Sequence, residues 1–339
     1  MTADVRMPAE WEPHERTWMA WPATGYTLGE AEEDRAEARS AWAAVANAIV
    51  RFEPVTMVAD PADASIAREY LDPSIDIVEA PLDDAWMRDI GPTFVMDSDG
   101  VVTGIDWVFN GWGAASWATW EKDARIGAAV CGFAGTPVMR SEMINEGGGI
   151  HVNGTGTVMA TRTVQLGDGR NSGWTQEQVE DEFARTLGTD RVIWFDRGLH
   201  RDYDDFGTRG HVDIVACFSD PTTVLIHDQR NPEHPDHAVT AEVRAILARY
   251  PDLTVIDVPA PDVLRDEEGW VDYSYINHLI VNGGVILCAF DDPGDERAAE
   301  ILRAAYPGRE IVLVDARPLF ARGGGIHCIT QQQPRSGRA

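Results

Sequence analysis

Apolar residues recur at helical spacing in six stretches of the chain and cluster into short strand-like runs in six others. The clearest helical pattern covers residues 30–52, where Trp42, Val45 and Ile49 share one face of an Ala- and Glu-rich segment. Weaker patterns cover 62–71, 117–131, 175–188, 237–250 and 295–306. The last opens on Asp295-Glu296 and is stopped by Pro307-Gly308. Between them lie β-type runs at 55–59, 93–96, 157–161, 223–227, 284–290 and 310–316. Alternation of the two predicts an α/β fold. The most loop-like stretches, 196–210 and 228–237, are too short to demand a domain break. Residues 1–339 therefore read as one domain, with the tail from Gln333 expected to fray.

A weak repeat runs beneath this alternation. RDIGPTFVMDSDGVVTGID from Arg88, GIHVNGTGTVMATRT from Gly149, GHVDIVACFSDPTTVLIH from Gly210 and INHLIVNGGVILCAF from Ile276 share one grammar. Each has an Asp or His, a short strand, a turn and a second apolar strand; GIHCITQQQ from Gly325 is a partial fifth copy. The markers Asp89, His151, His211, His278 and His327 recur at intervals of 49 to 67 residues, enough for a ββαβ unit. Five such units about an axis would make a five-bladed α/β propeller with pseudo-fivefold symmetry. A doubly wound sheet is the generic alternative, but it predicts a glycine-rich phosphate loop, and neither GxGxxG nor GxxxxGK[ST] occurs.

Composition narrows the function classes. At 339 residues with 44% hydrophobic and 25% charged, the chain is globular rather than disordered. Its net charge of −28 repels phosphate backbones and anionic membranes, so nucleic acid and membrane partners are not expected, whereas a cationic small molecule is attracted. The four Cys (131, 217, 288, 328) form no CxxC, no apolar leader or membrane span is visible, and a cytoplasmic protein with reduced thiols is expected.

Reactive residues gather in DDAWMRDIGP (83–92), NEGGGIHVNG (145–154), RGHVD (209–213) and GGGIHCITQQQ (323–333). On a strand His211 and Asp213 would face one way, as a base and a carboxylate serving one pocket or as an ordinary hydrogen-bonded pair. Glu146 precedes three glycines that let backbone approach a ligand closely, or that simply turn the chain. Cys131, Cys217 and Cys288 read as small core residues. Cys328, after a glycine cluster and beside a His, is the candidate nucleophile. Carboxylates around a thiol raise its pKa, and a cationic substrate removes that difficulty. A guanidinium, gripped by two Asp, fits both requirements. These residues together suggest a Cys–His–carboxylate hydrolase of guanidinium compounds.

The phrases MPAEWEPHERTWMAWP, FEPVTM, DDAWMRDIGPTFV, EGGGIHVNGTGT, GHVDIVACF, NGGVIL and GGGIHCITQQQP span residues 7–334. Through them the chain resembles the agmatine deiminases of the guanidine-modifying (pentein) superfamily. The resemblance implies a five-bladed ββαβ propeller with its site on the central axis. It implies that Cys328 attacks the guanidinium carbon, that His211 serves as acid and then base, and that Glu146 orients His211. It further implies that Asp89 and Asp213 clamp the guanidinium and that Trp86 lines the channel. No metal or organic cofactor is implied, and a homodimer is.

Four positions depart from the family pattern: Arg209 stands before GHVD, Ile214 follows it, VQLGDGRN occupies 164–171, and GGGIHC from Gly323 lacks an Asn. The catalytic set survives them. Arg209 near the pocket would disfavour an ammonium tail and favour a carboxylate-bearing one, unless it pairs with Asp204 or Asp205. Deimination of arginine, a guanidino acid or peptidyl-arginine, amidino transfer, and an idle binding propeller are the alternatives.

Overall fold

The computed structural model describes residues 5–23 and 25–337. Its strands form five mixed sheets. In four of them an antiparallel hairpin is followed by a helix and then by a strand parallel to the second hairpin strand. The hairpins are Thr93–Asp97 with Val102–Val108, Ile150–Val152 with Thr157–Thr161, Ala216–Asp220 with Thr223–Asp228, and Leu279–Val281 with Gly284–Ala289. The returning parallel strands are Val138–Ile144, Arg191–Phe195, Thr254–Pro259 and Glu310–Asp315. The helices between are Ile126–Ala134, Gln176–Leu187, Asp236–Leu247 and Gly294–Ala305.

The fifth sheet joins the two ends of the chain. Thr330–Pro334 pairs antiparallel with His14–Ala20, which runs parallel to Val55–Ala59 across the helix Glu32–Ile49. On that helix Trp42, Val45 and Ile49 are fully buried, as their spacing requires. Burying side chains of this size contributes roughly 1.5–3 kcal/mol each.

Two local expectations change. The helix expected from residue 117 begins at Ile126, after a single 3-10 turn at Asp123–Arg125. Tertiary contacts hold the preceding residues elsewhere: Trp117 stacks on Trp112 at 5.1 Å, and Lys122 donates through its backbone N–H to Asp83 and through Nζ to Leu82 O. The tail is not frayed at Gln333. That residue is buried in the closing sheet and accepts a 2.9 Å bond from Trp18 Nε1, and Gly337 N donates to Gly100 O. Residues 338–339 of the expected tail lie outside the described residues.

Among the described residues no helix is long and apolar enough to cross a membrane.

Candidate active site

Each of the five sheets is entered by a short turn, and the five turns meet. They are Met87–Ile90 with Asp89, Glu146–Gly149, His211–Ile214, the turn at Asn277, and the segment 324–329 with Cys328. Cross-links bind turn to turn. Arg88 N donates to Cys328 O at 3.0 Å, Gly148 N to Asp89 Oδ1 at 3.1 Å, and His327 N to Asn277 Oδ1 at 3.0 Å.

Gly148 marks the point of convergence. A Cβ there would lie 2.5 Å from His211 Nδ1 and 3.0 Å from both Asp213 Oδ2 and Asp89 Oδ1. Only glycine lets those three side chains close on one space. Cys328 Sγ lies 3.6 Å from Asp213 Oδ2. Trp86 joins from the other side, since a Cβ on Gly324 would meet both the Trp86 ring at 2.7 Å and Cys328 Sγ at 3.0 Å. Six of the seven residues singled out in the sequence (Trp86, Asp89, Glu146, His211, Asp213, Cys328) are thus buried together.

Arg209 is not among them. It is exposed at a φ of +69°, and among the described residues its guanidinium has no hydrogen-bond or ion-pair partner, neither Asp204 nor Asp205. It lines an open cavity of ≈ 530 Å³ with Arg162, Thr163, Arg170 and Tyr203.

His211 and Asp213 converge for a reason other than strand alternation. The strand starts at Ala216; before it the chain makes a 3-10 turn over Val212–Ile214. Asp202 shapes the approach to that turn, its carboxylate accepting from the backbone N–H of Thr208, Gly210 and His211.

The electrostatics assign distinct states to the ionisable groups. Burial disfavours charge on His211, but Asp89, Glu146 and Asp213 outweigh it and lift its pKa to about 9. His211 Nε2 lies 3.3 Å from Glu146 Oε2. Burial also works against Glu146, yet Arg170, whose Nε donates to both oxygens at 3.0 and 2.9 Å, holds its pKa below the ordinary carboxylate value. Burial, then repulsion from Glu146 and Asp213, raises Asp89 to about 6, against the pull of His211 and the 2.8 Å bond from Trp112 Nε1. Burial, then Asp213 and Asp89, pushes the Cys328 thiol well above its ordinary value. Two buried atoms of these residues, Asp213 Oδ1 and His211 Nδ1, have no hydrogen-bond partner among the described residues. A guanidinium presents donors to the first. Among the described residues no group of three or more His, Cys, Asp or Glu has metal-holding geometry.

Sequence reasoning passed over Asn277, Glu10, Trp112 and Arg170. Asn277 lies one residue before the repeat marker His278, and Arg170 inside the departing segment 164–171, so the repeat and the motif held signals for both.

The chain as a whole has close counterparts. The family described as Porphyromonas-type peptidyl-arginine deiminase matches residues 6–334. A Streptomyces coelicolor protein is 60% identical over 98% of this chain and 99% of its own length. The agmatine deiminase of Stutzerimonas stutzeri is 40% identical over 97% of this chain and 95% of its own. The solved agmatine deiminase of Enterococcus faecalis superposes with a TM-score of 0.90 at 31% identity, covering 98% of this chain and 96% of that one. With the family matched over nearly its whole length, the chain belongs to the Porphyromonas-type peptidyl-arginine deiminases.

Proposed function

We propose that this chain hydrolyses the guanidinium group of agmatine to a ureido product and ammonia. It is a hydrolase of carbon–nitrogen bonds in linear amidines. The observation that carries the reading is the closure of Asp89, His211 and Asp213 around Gly148, with Cys328 3.6 Å from Asp213.

Asp89 and Asp213 grip the guanidinium nitrogens, and the bound positive charge offsets the carboxylates that suppress thiolate formation. Cys328 thiolate adds to the guanidinium carbon, forming a C–S bond and a neutral tetrahedral adduct. Protonated His211, held charged by Glu146, gives its proton to one nitrogen. The C–N bond breaks, ammonia departs, and a thiouronium remains on Cys328. Neutral His211 then takes a proton from water, and the hydroxide adds to the same carbon. Collapse breaks the C–S bond, frees the thiolate and yields the urea, its surplus proton leaving as ammonium.

The five sheets, each repeating hairpin, helix and parallel strand and each sending a turn to one site, support a five-bladed propeller acting as a single catalytic domain. A cytoplasmic homodimer is the accompanying proposal. The relatives support agmatine as substrate. A second reading rests on Arg209: exposed in its cavity, with no guanidinium partner among the described residues, it favours a guanidine with a carboxylate tail.

Ammonia release from agmatine, arginine, guanidinobutyrate and an arginine-containing peptide tests both readings. Turnover of agmatine is expected. Preference for guanidinobutyrate, lost in Arg209→Ala, would favour the second reading, and no release from any guanidine would sink both.

A further inference from the structure

Asn277 is completely buried in the turn before Leu279–Val281. Its amide orientation is fixed by its neighbours. Oδ1 faces the backbone N–H of His327 at 3.0 Å, a group that can only donate. The other end faces Asp213 O at 3.4 Å, which can only accept. Flipping the amide would set donor against donor and acceptor against acceptor, so the NH₂ end belongs where it lies, 3.2 Å from Cys328 Sγ.

From this geometry we propose that Asn277 is a catalytic residue whose Nδ2–H donates to the Cys328 sulfur and stabilises the thiolate during attack and departure. The proposal rests on Cys328 being the nucleophile. The sulfur needs such a donor. It is buried, and the carboxylates of Asp213, 3.6 Å away, and Asp89 oppose its ionisation. Negative charge sits on sulfur before C–S bond formation and again after its cleavage. In the thiouronium the sulfur carries little charge and accepts weakly. The hydrogen bond is therefore stronger at both ends of the reaction than at the intermediate, which assists expulsion of the thiolate in the second half. The rigid hold of His327 N–H on Oδ1 means that Nδ2 need not reorient as charge develops.

The test compares wild type, Asn277→Asp, Asn277→Ala and Cys328→Ala. Asn277→Asp keeps the shape and the acceptor for His327 N–H but replaces the donor at sulfur. Iodoacetamide alkylation of Cys328, mapped by peptide mass spectrometry, reads the thiolate fraction, about tenfold in rate per pKa unit below the thiol pKa. Alkylation of Asn277→Asp at least about tenfold slower, with kcat falling similarly and KM within about threefold, is expected. A folded Asn277→Asp alkylated at the wild-type rate overturns the proposal. Should Asn277→Asp fail to fold, Asn277→Ala decides: kcat within about twofold of wild type overturns the proposal, and a fall of about tenfold at unchanged KM supports it. Cys328→Ala with near wild-type turnover would sink the nucleophile reading beneath it, an outcome separate from any behaviour of Asn277.

Discussion

His327 Nδ1 lies 2.8 Å from Asp213 Oδ2, and the opposite ring nitrogen lies 2.9 Å from Glu10 Oε1. Both neighbours are carboxylates that can only accept, so both ring nitrogens carry protons. Burial and Arg88 oppose that charge, yet Glu10 and Asp213 raise the His327 pKa. In return His327 is the main influence holding Asp213 below the ordinary value against burial. Asp213 thereby stays ionised with Oδ2 paired to His327, while Oδ1 has no hydrogen-bond partner among the described residues.

Glu10→Gln keeps the shape of this chain of contacts but removes the charge behind His327. Asp213 should become easier to protonate, and the acid limb of kcat/KM should move to higher pH. The ratio of wild-type to variant kcat/KM should be constant near pH 8 and grow as pH falls toward the ordinary Asp pKa of about 4, by up to about tenfold for one pKa unit of coupling. A pH profile parallel to wild type at every pH would mean that Glu10 is structural only.

Asp213→Asn tests the clamp itself. Removing a preorganised charge at the reacting group costs about 10²–10³ in rate at comparable sites, so kcat/KM for agmatine should fall at least about hundredfold. A fall of less than about tenfold would argue that Asp213 does not bind the guanidinium. Cys328→Ala should abolish turnover while leaving the melting transition in place; turnover near wild type would remove the covalent mechanism.

The pH dependence of kcat/KM follows from the free-enzyme groups. In the proposed mechanism Asp89, at about 6, receives the guanidinium only when ionised, so activity should be lost as pH falls through about 6. In the same mechanism His211, at about 9, delivers a proton to the leaving nitrogen only when protonated, so its contribution should be lost as pH rises through about 9. The Cys328 thiol is pushed upward, so the reactive pairing of thiolate with protonated His211 is a minority state. Its population grows until His211 begins to deprotonate. A plot of log kcat/KM should rise with slope near two below about pH 6, slope near one to about 9, and then level. A flat plateau across pH 6–9 would show that the thiol ionises without substrate.

What could be read from the sequence, and what could not, divides along contact range. Helix 32–49 carries its own periodicity, and Asp89, Glu146, His211, Asp213 and Cys328 sit in local phrases with glycine beside several of them. The failures depend on distant partners. Glu10 meets His327 across 317 positions, and Asn277 meets Cys328 across 51. Trp112 donates to Asp89 across 23 positions from a backbone at a φ of +55°, a strained conformation for a residue other than glycine. Residues 117–122 have helical spacing, but stacking of Trp117 on Trp112 and the ties of Lys122 override it. Arg209 was legible as an oddity, yet its exposure was not.

Asp123 offers a prediction about stability away from the chemistry. It is almost wholly buried, and its Oδ1 accepts from Asp83 N–H at 2.8 Å. Burial, with repulsion from Asp84 and Asp83, lifts its pKa from 3.8 to about 8. The folded state therefore keeps a proton that the unfolded chain has lost between about pH 4 and 8. The contribution of this group is fully present below the unfolded pKa and is lost as pH rises through about 8, so it lowers stability progressively across that window. Asp123→Asn retains the acceptor for Asp83 N–H and removes the titration. The variant should melt near wild type at pH 4 and several degrees above it at pH 9, at roughly 1.4 °C per kcal/mol for a chain of 339 residues. Melting curves across that range decide it. A constant difference between the two proteins from pH 4 to 9 would show that Asp123 titrates near its ordinary value in the folded state.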